Sequence, residues 1–179
     1  MKKLILIYGV VSGAIIIGSS IIGINAASGN EEAEFTAWMG YLIMVVALSM
    51  VFVGVKRHRD RELGGVIKFG TAFLVGLGIS VVASVIYVLG WEMNLAMTDY
   101  AFIEQYTSSV IRTKTAAGLA GAELDQLVQE MNVLTERYAN PLFRMPMTFV
   151  EIFPVGLLVS LISAGLLKNS QFLSAKAAA

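Results

Sequence analysis

Glu151 and Pro154 stand three residues apart in the last long apolar run of the chain, within "TFVEIFPVGLL" from Thr148 to Leu158. A carboxylate in such a run can take up a proton or bind a cation, and an acid inside a membrane helix is a functional suspect by default. Pro154 has no N–H, so it leaves the Val150 carbonyl without its helical partner and kinks the helix. An acid beside a kink suits a transport site. The same residues also suit a structural role. Thr148 and Glu151 have the capping-box spacing, in which a hydroxyl and a carboxylate satisfy orphan N–H groups at a helix start. Glu151 would then occupy the first turn, where the helix dipole favours an anion. Arg144, seven residues earlier, would pair with it if the helix begins early enough. The spacing favours the cap.

Little else in the chain has catalytic potential. There is no cysteine, which excludes disulfides, thiolate metal sites and a thiol nucleophile. The single histidine, His58, cannot form a histidine cluster within one chain. No Ser–His, Asp–Asp, Cys–His or metal-ligand constellation is apparent in the sequence, and a lone Glu with neighbouring Arg and Thr does not define a reaction class. The expectation is a protein that is not an enzyme and has no cofactor or metal. Formal net charge is zero, so no bulk field recruits nucleic acid.

Composition explains what must position these residues. Hydrophobic residues make up 56% of the chain and charged residues 15%, with a mean hydropathy of +0.73. Soluble domains hold about 45–50% and about 25%. The excess is concentrated in four runs, at about residues 4–24, 35–55, 69–89 and 148–167. Each is close to the roughly 20 residues that cross a bilayer as a helix. Inside lipid the backbone must satisfy its own hydrogen bonds, so each run is expected to be helical. The fold class is all-α: a single domain over 1–179, an integral membrane bundle of four transmembrane helices in a lipid bilayer. The first run, after "MKK", also has the look of a cleaved signal peptide, but it exceeds the roughly 7–15 residues of a signal core, which favours a retained span.

Lysine and arginine set the orientation. Lys2 and Lys3, the cluster Lys56, Arg57, Arg59, Arg61 with Lys68, and Lys168 with Lys176 all share one side of a four-span layout. Both termini are therefore expected in the cytoplasm, with the longer segment carrying Arg112, Lys114, Arg137 and Arg144 outside. Trp38, Tyr41, Tyr87 and Trp91 then fall near the outer interface, where amphipathic rings prefer to sit. The basic cluster reads first as a topological signal and second as an anionic-lipid or partner site. His58 reads as a solvated loop residue.

Small residues mark where membrane helices approach closely. Gly9 and Gly13 have that spacing in the first span, Gly76, Ser80 and Ser84 in the third, and Gly156, Ser160 and Ala164 in the fourth. Fourfold spacing puts each set on one helix face. The stripes of spans three and four are expected to face each other or span one.

The segment between spans three and four is too long for a structureless loop. Leu124, Leu127, Val128, Met131, Leu134 and Tyr138 form a helical apolar stripe ended by Asn140-Pro141, and Phe102, Ile103, Tyr106 and Val110 form a weaker one. These predict an extracytoplasmic amphipathic helical hairpin over about 98–139, its first helix an extension of span three. It is also the first place to seek a protein partner.

Two blocks, "KRHRDRELGGVIKFGTAFLVGLGISVVASVIYVLGWE" from Lys56 to Glu92 and "NPLFRMPMTFVEIFPVGLLVSLISAGLLK" from Asn140 to Lys168, resemble the bacterial domain-of-unknown-function 4199 family. The resemblance implies a small four-span inner-membrane protein and brings no activity or catalytic residues with it. Two functional expectations follow. One is an accessory or scaffolding subunit that binds a membrane-protein partner through the outer hairpin or the small-residue faces. The other is a small transporter or channel, a homo-oligomer with Glu151 as its titrating group.

Overall fold

The computed structural model describes residues 1–27 and 33–174, with side chains for 1–23 and 40–174. Lys176 and the Trp38 side chain lie outside the described residues. All regular structure among them is helical: α1 Lys2–Ala27, α2 Ala33–Glu62, α3 Phe69–Met97, α4 Phe102–Ala116, α5 Ala122–Tyr138 and α6 Pro141–Leu167. Helices α1, α2, α3 and α6 are long and apolar enough to cross a membrane. The residues group into two compact units, 1–90 with 149–179, and 91–148.

In the first unit α3 is the central helix. Ala72, Val75, Ile79, Ser80, Ala83 and Ser84 are fully buried along it. Helix α1 packs on one side, where a Cβ at Gly9 would fall 2.5 Å from Val82 and one at Gly13 2.7 Å from Ile86. Helix α6 packs on another, where a Cβ at Gly156 would lie 2.7 Å from Ser80. Gly54 of α2 meets Ile79 of α3 and Tyr8 of α1. These glycines let backbones approach within a distance that any side chain would block, and the resulting contact area substitutes for the hydrophobic drive that lipid removes.

Helix α2 runs on through "KRHRDRE" to Glu62, where the sequence reading has a loop from about residue 56. Nothing in that stretch breaks a helix, lysine and arginine are good helix formers, and Arg59 and Arg61 suit the negative end of the dipole. The stop comes at Gly64 and Gly65, whose φ of +66° and +90° favour glycine. The Gly65 N–H then donates to the Arg59 carbonyl at 2.9 Å.

In the second unit α4 and α5 pack against each other. Helix α4 does not continue α3: α3 ends at Met97, and Asp99 and Tyr100 turn the chain in left-handed conformations, φ 50° and 59°. Helix α5 carries Glu123 and Asp125 in its first turn and Arg137 in its last, matching the dipole. Its inner face holds Tyr138 buried and Leu124, Leu127, Val128, Met131 and Leu134 half-buried.

Asn140-Pro141 ends α5 and also starts α6. The Asn140 Oδ1 accepts the Leu142 N–H at 2.9 Å, a side-chain N-cap, and Pro141 takes the first helical position, where its missing N–H is harmless. The helix therefore begins seven residues before Thr148. It continues as one helix past Pro154 to Leu167.

Candidate functional site

The early start of α6 overturns the capping reading of Thr148 and Glu151. Thr148 is buried in mid-helix, and its Oγ1 donates back to the Arg144 carbonyl at 3.0 Å. Glu151 stands ten residues beyond Pro141, past the first turn, so it does not cap α6. It is an exposed carboxylate on the surface of the first unit. No hydrogen bond or ion pair among the described residues involves it.

Arg144 pairs with Glu92, a residue that sequence spacing did not single out. Its Nε donates to Glu92 Oε1 at 2.7 Å and its Nη2 to Oε2 at 2.6 Å, a bidentate fork. Its Nη1 donates to the Tyr138 carbonyl at 2.8 Å. The guanidinium carbon lies 5.1 Å from the Tyr100 ring centroid and 5.6 Å from that of Tyr138. Tyr138 in turn accepts the Trp91 indole N–H at 2.8 Å. The cation is thus enclosed by a carboxylate, a carbonyl and two rings. With two rings beside it and nearly all its N–H groups engaged, it acts as an internal brace of the second unit and has little left to offer an anionic ligand. The φ values at Asp99 and Tyr100 fit this arrangement, because the turn they make brings the Tyr100 ring to the guanidinium.

The small-residue stripes of α3 and α6 meet. Ser80 Oγ lies 3.0 Å from the Gly76 carbonyl, the Gly156 carbonyl and Ser160 Oγ. Ser160 donates to the Gly156 carbonyl at 2.7 Å, and Ser84 to the Ser80 carbonyl at 2.9 Å. Ala164 is fully buried. Every hydroxyl of this contact is satisfied, and the gap is closed at van der Waals distance. Gly9 and Gly13 are likewise used up against α3. By contrast Ser12, on α1, is buried with no partner for its Oγ among the described residues.

The basic cluster is less available than its sequence implies. Arg59 is fully buried: Nε donates to Asp60 at 2.6 Å, Nη1 to the Phe172 carbonyl at 2.8 Å and Nη2 to the Leu173 carbonyl at 2.7 Å. Lys56 pairs with Asp60, one turn on. Arg57 reaches the Tyr8 hydroxyl at 3.3 Å, and Arg61 is exposed. His58 is buried on α2, with Nδ1 3.0 Å from a Glu62 carboxylate oxygen, so it is neither in a loop nor solvated. The aromatic belt is also partly internal. Tyr87 and Trp91 are buried, whereas Tyr41 is exposed.

Among the described residues, no group of three or more histidines and carboxylates is arranged to hold a metal ion. A family profile described as a protein of unknown function, DUF4199, matches residues 7–169, and the chain belongs to that family. No curated protein and no solved structure matches it. Its four long apolar helices make it a multi-pass membrane protein.

Proposed function

We propose that this protein is a non-enzymatic accessory subunit of the bacterial inner membrane, with both termini cytoplasmic, that acts by holding a partner membrane protein. The observation that carries this reading is a contrast between faces. The small-residue surfaces of α1, α3 and α6 are consumed inside the chain. The described residues leave the outer face of α6 uncovered, and it presents Glu151, a residue type that membrane helices almost always turn towards a partner or a water-filled cavity. After mild crosslinking and gentle extraction the protein is expected to co-purify with one defined membrane protein. Repeated recovery of the chain alone would overturn the reading.

The outward position of Glu151 also bears on the transport alternative. The α3–α6 contact is filled, so a path using this acid would run between copies of the chain. Reconstituted vesicles would then show a flux that Glu151→Gln abolishes, and an unchanged flux would dismiss it.

A further inference from the structure

We infer that the uncovered face of α6 receives a transmembrane helix of a different protein, and that this helix carries a lysine or arginine paired with Glu151. The inference rests on the partner-binding reading above and adds the chemistry of the partner. Glu151, Pro154, Leu158, Ile162 and Gly165 recur at three- and four-residue spacing and so share one face. All five are exposed; Leu158 and Ile162 are 58% and 61% so, and the space beside Gly165 is open. The face is thus apolar and continuous apart from one carboxylate. Against lipid that carboxylate is unfavourable whichever protonation state it adopts, because neither hydrocarbon nor the neighbouring apolar side chains supply a hydrogen bond.

Among the described residues no cation pairs with Glu151. Arg144 is the nearest basic residue in sequence, and Glu92 occupies it through both carboxylate oxygens. A second copy does not supply it either. The basic residues of a second copy's spanning helices are Arg144, held by its own Glu92, and those where the start of α1 meets the end of α2, which lie beside Phe172 and Leu173 beyond the far end of α6, so another copy brought side by side onto this face would offer only apolar residues or a second Glu151. Two carboxylates facing each other repel unless one is protonated. Charge complementarity therefore selects a foreign helix with a basic residue in its apolar stretch. Gly165 gives that helix a place to approach closely.

A photoreactive amino acid at Leu158, in the full chain in its native membrane, tests this. The same probe at Leu74, exposed on α3, serves as reference. The expected result is an adduct from Leu158 to one protein, at an apolar segment that contains a lysine or arginine. Glu151→Gln should lower its yield at least tenfold, and Glu151→Asp, which keeps the charge, should preserve most of it. Glu151→Lys combined with a glutamate at the partner's basic position should restore it. Three results would overturn the inference while leaving the broader partner-binding reading in place. These are a yield unchanged by Glu151→Gln, an adduct to a second copy of this chain, and a partner segment without a basic residue. Absence of any adduct from Leu158 and of any co-purifying protein would remove both.

Discussion

Arg144 and Glu92, 52 residues apart in sequence, form a two-pronged ion pair in which the arginine is 2% and the glutamate 15% exposed. The pair links the end of α3 to the start of α6 within the second unit, and Tyr138 adds the end of α5 through its carbonyl and ring. Removing one member strands the other. Loss of one partner of a fully buried pair costs about 3–5 kcal/mol, and the partial exposure of Glu92 lowers that to about 2 kcal/mol. Glu92→Gln and Arg144→Met should each destabilise by about that amount. The double variant should be less damaged than the sum of the two, as unfolding by SDS in mixed micelles would show.

The glycine contacts predict a sharp positional contrast. A Cβ at Gly9 or Gly156 would come within 2.7 Å of a side chain of α3, whereas one at Gly70 or Gly165 meets nothing within 4 Å. Gly9→Val and Gly156→Val should lower stability by about 1–3 kcal/mol through overpacking. Gly70→Ala and Gly165→Ala should leave it unchanged or raise it slightly. Thermal melts of the four purified variants would separate the groups.

Ser12 offers the opposite sign. Its hydroxyl is buried and unpaired, and an unsatisfied buried polar group costs about 1–3 kcal/mol. Replacing it with alanine removes the hydroxyl and little volume. Ser12→Ala should therefore stabilise the protein by about 1 kcal/mol, measured by the same SDS titration, and a loss of stability would contradict the burial of an orphan group.

Arg59 ties the segment after α6 to the end of α2 through two main-chain carbonyls. Lysine carries one ammonium on a flexible stem and does not reproduce that fork. Both Arg59→Lys and Arg59→Met should release residues 168–174, with a several-fold faster trypsin cut after Lys168. An unchanged cleavage rate would show that the segment is held by something else.

The four long helices were legible because hydropathy is dense and local: each run carries its own evidence. The start of α6 was misplaced for the same reason. Hydropathy alone draws the boundary near Thr148, and Asn140-Pro141 reads first as the stop of the helix before it, although an asparagine cap followed by proline is equally a start. Spacing identified the small-residue faces of α3 and α6, since a fourfold period marks a face. The partner of Arg144 was not legible, because Glu92 is far away in sequence and no periodicity connects them. The burial of Arg59 left no trace either, since its acceptors are backbone carbonyls, which every residue possesses.

Arg59 recognises the course of the chain at Leu173 and is indifferent to the letter written there. Leu173 is half-exposed and sits at φ 47°, a region that glycine and asparagine enter more readily. Either replacement would present the same oxygen with less backbone strain, so the contact constrains the side chain at position 59 and leaves that at position 173 unconstrained.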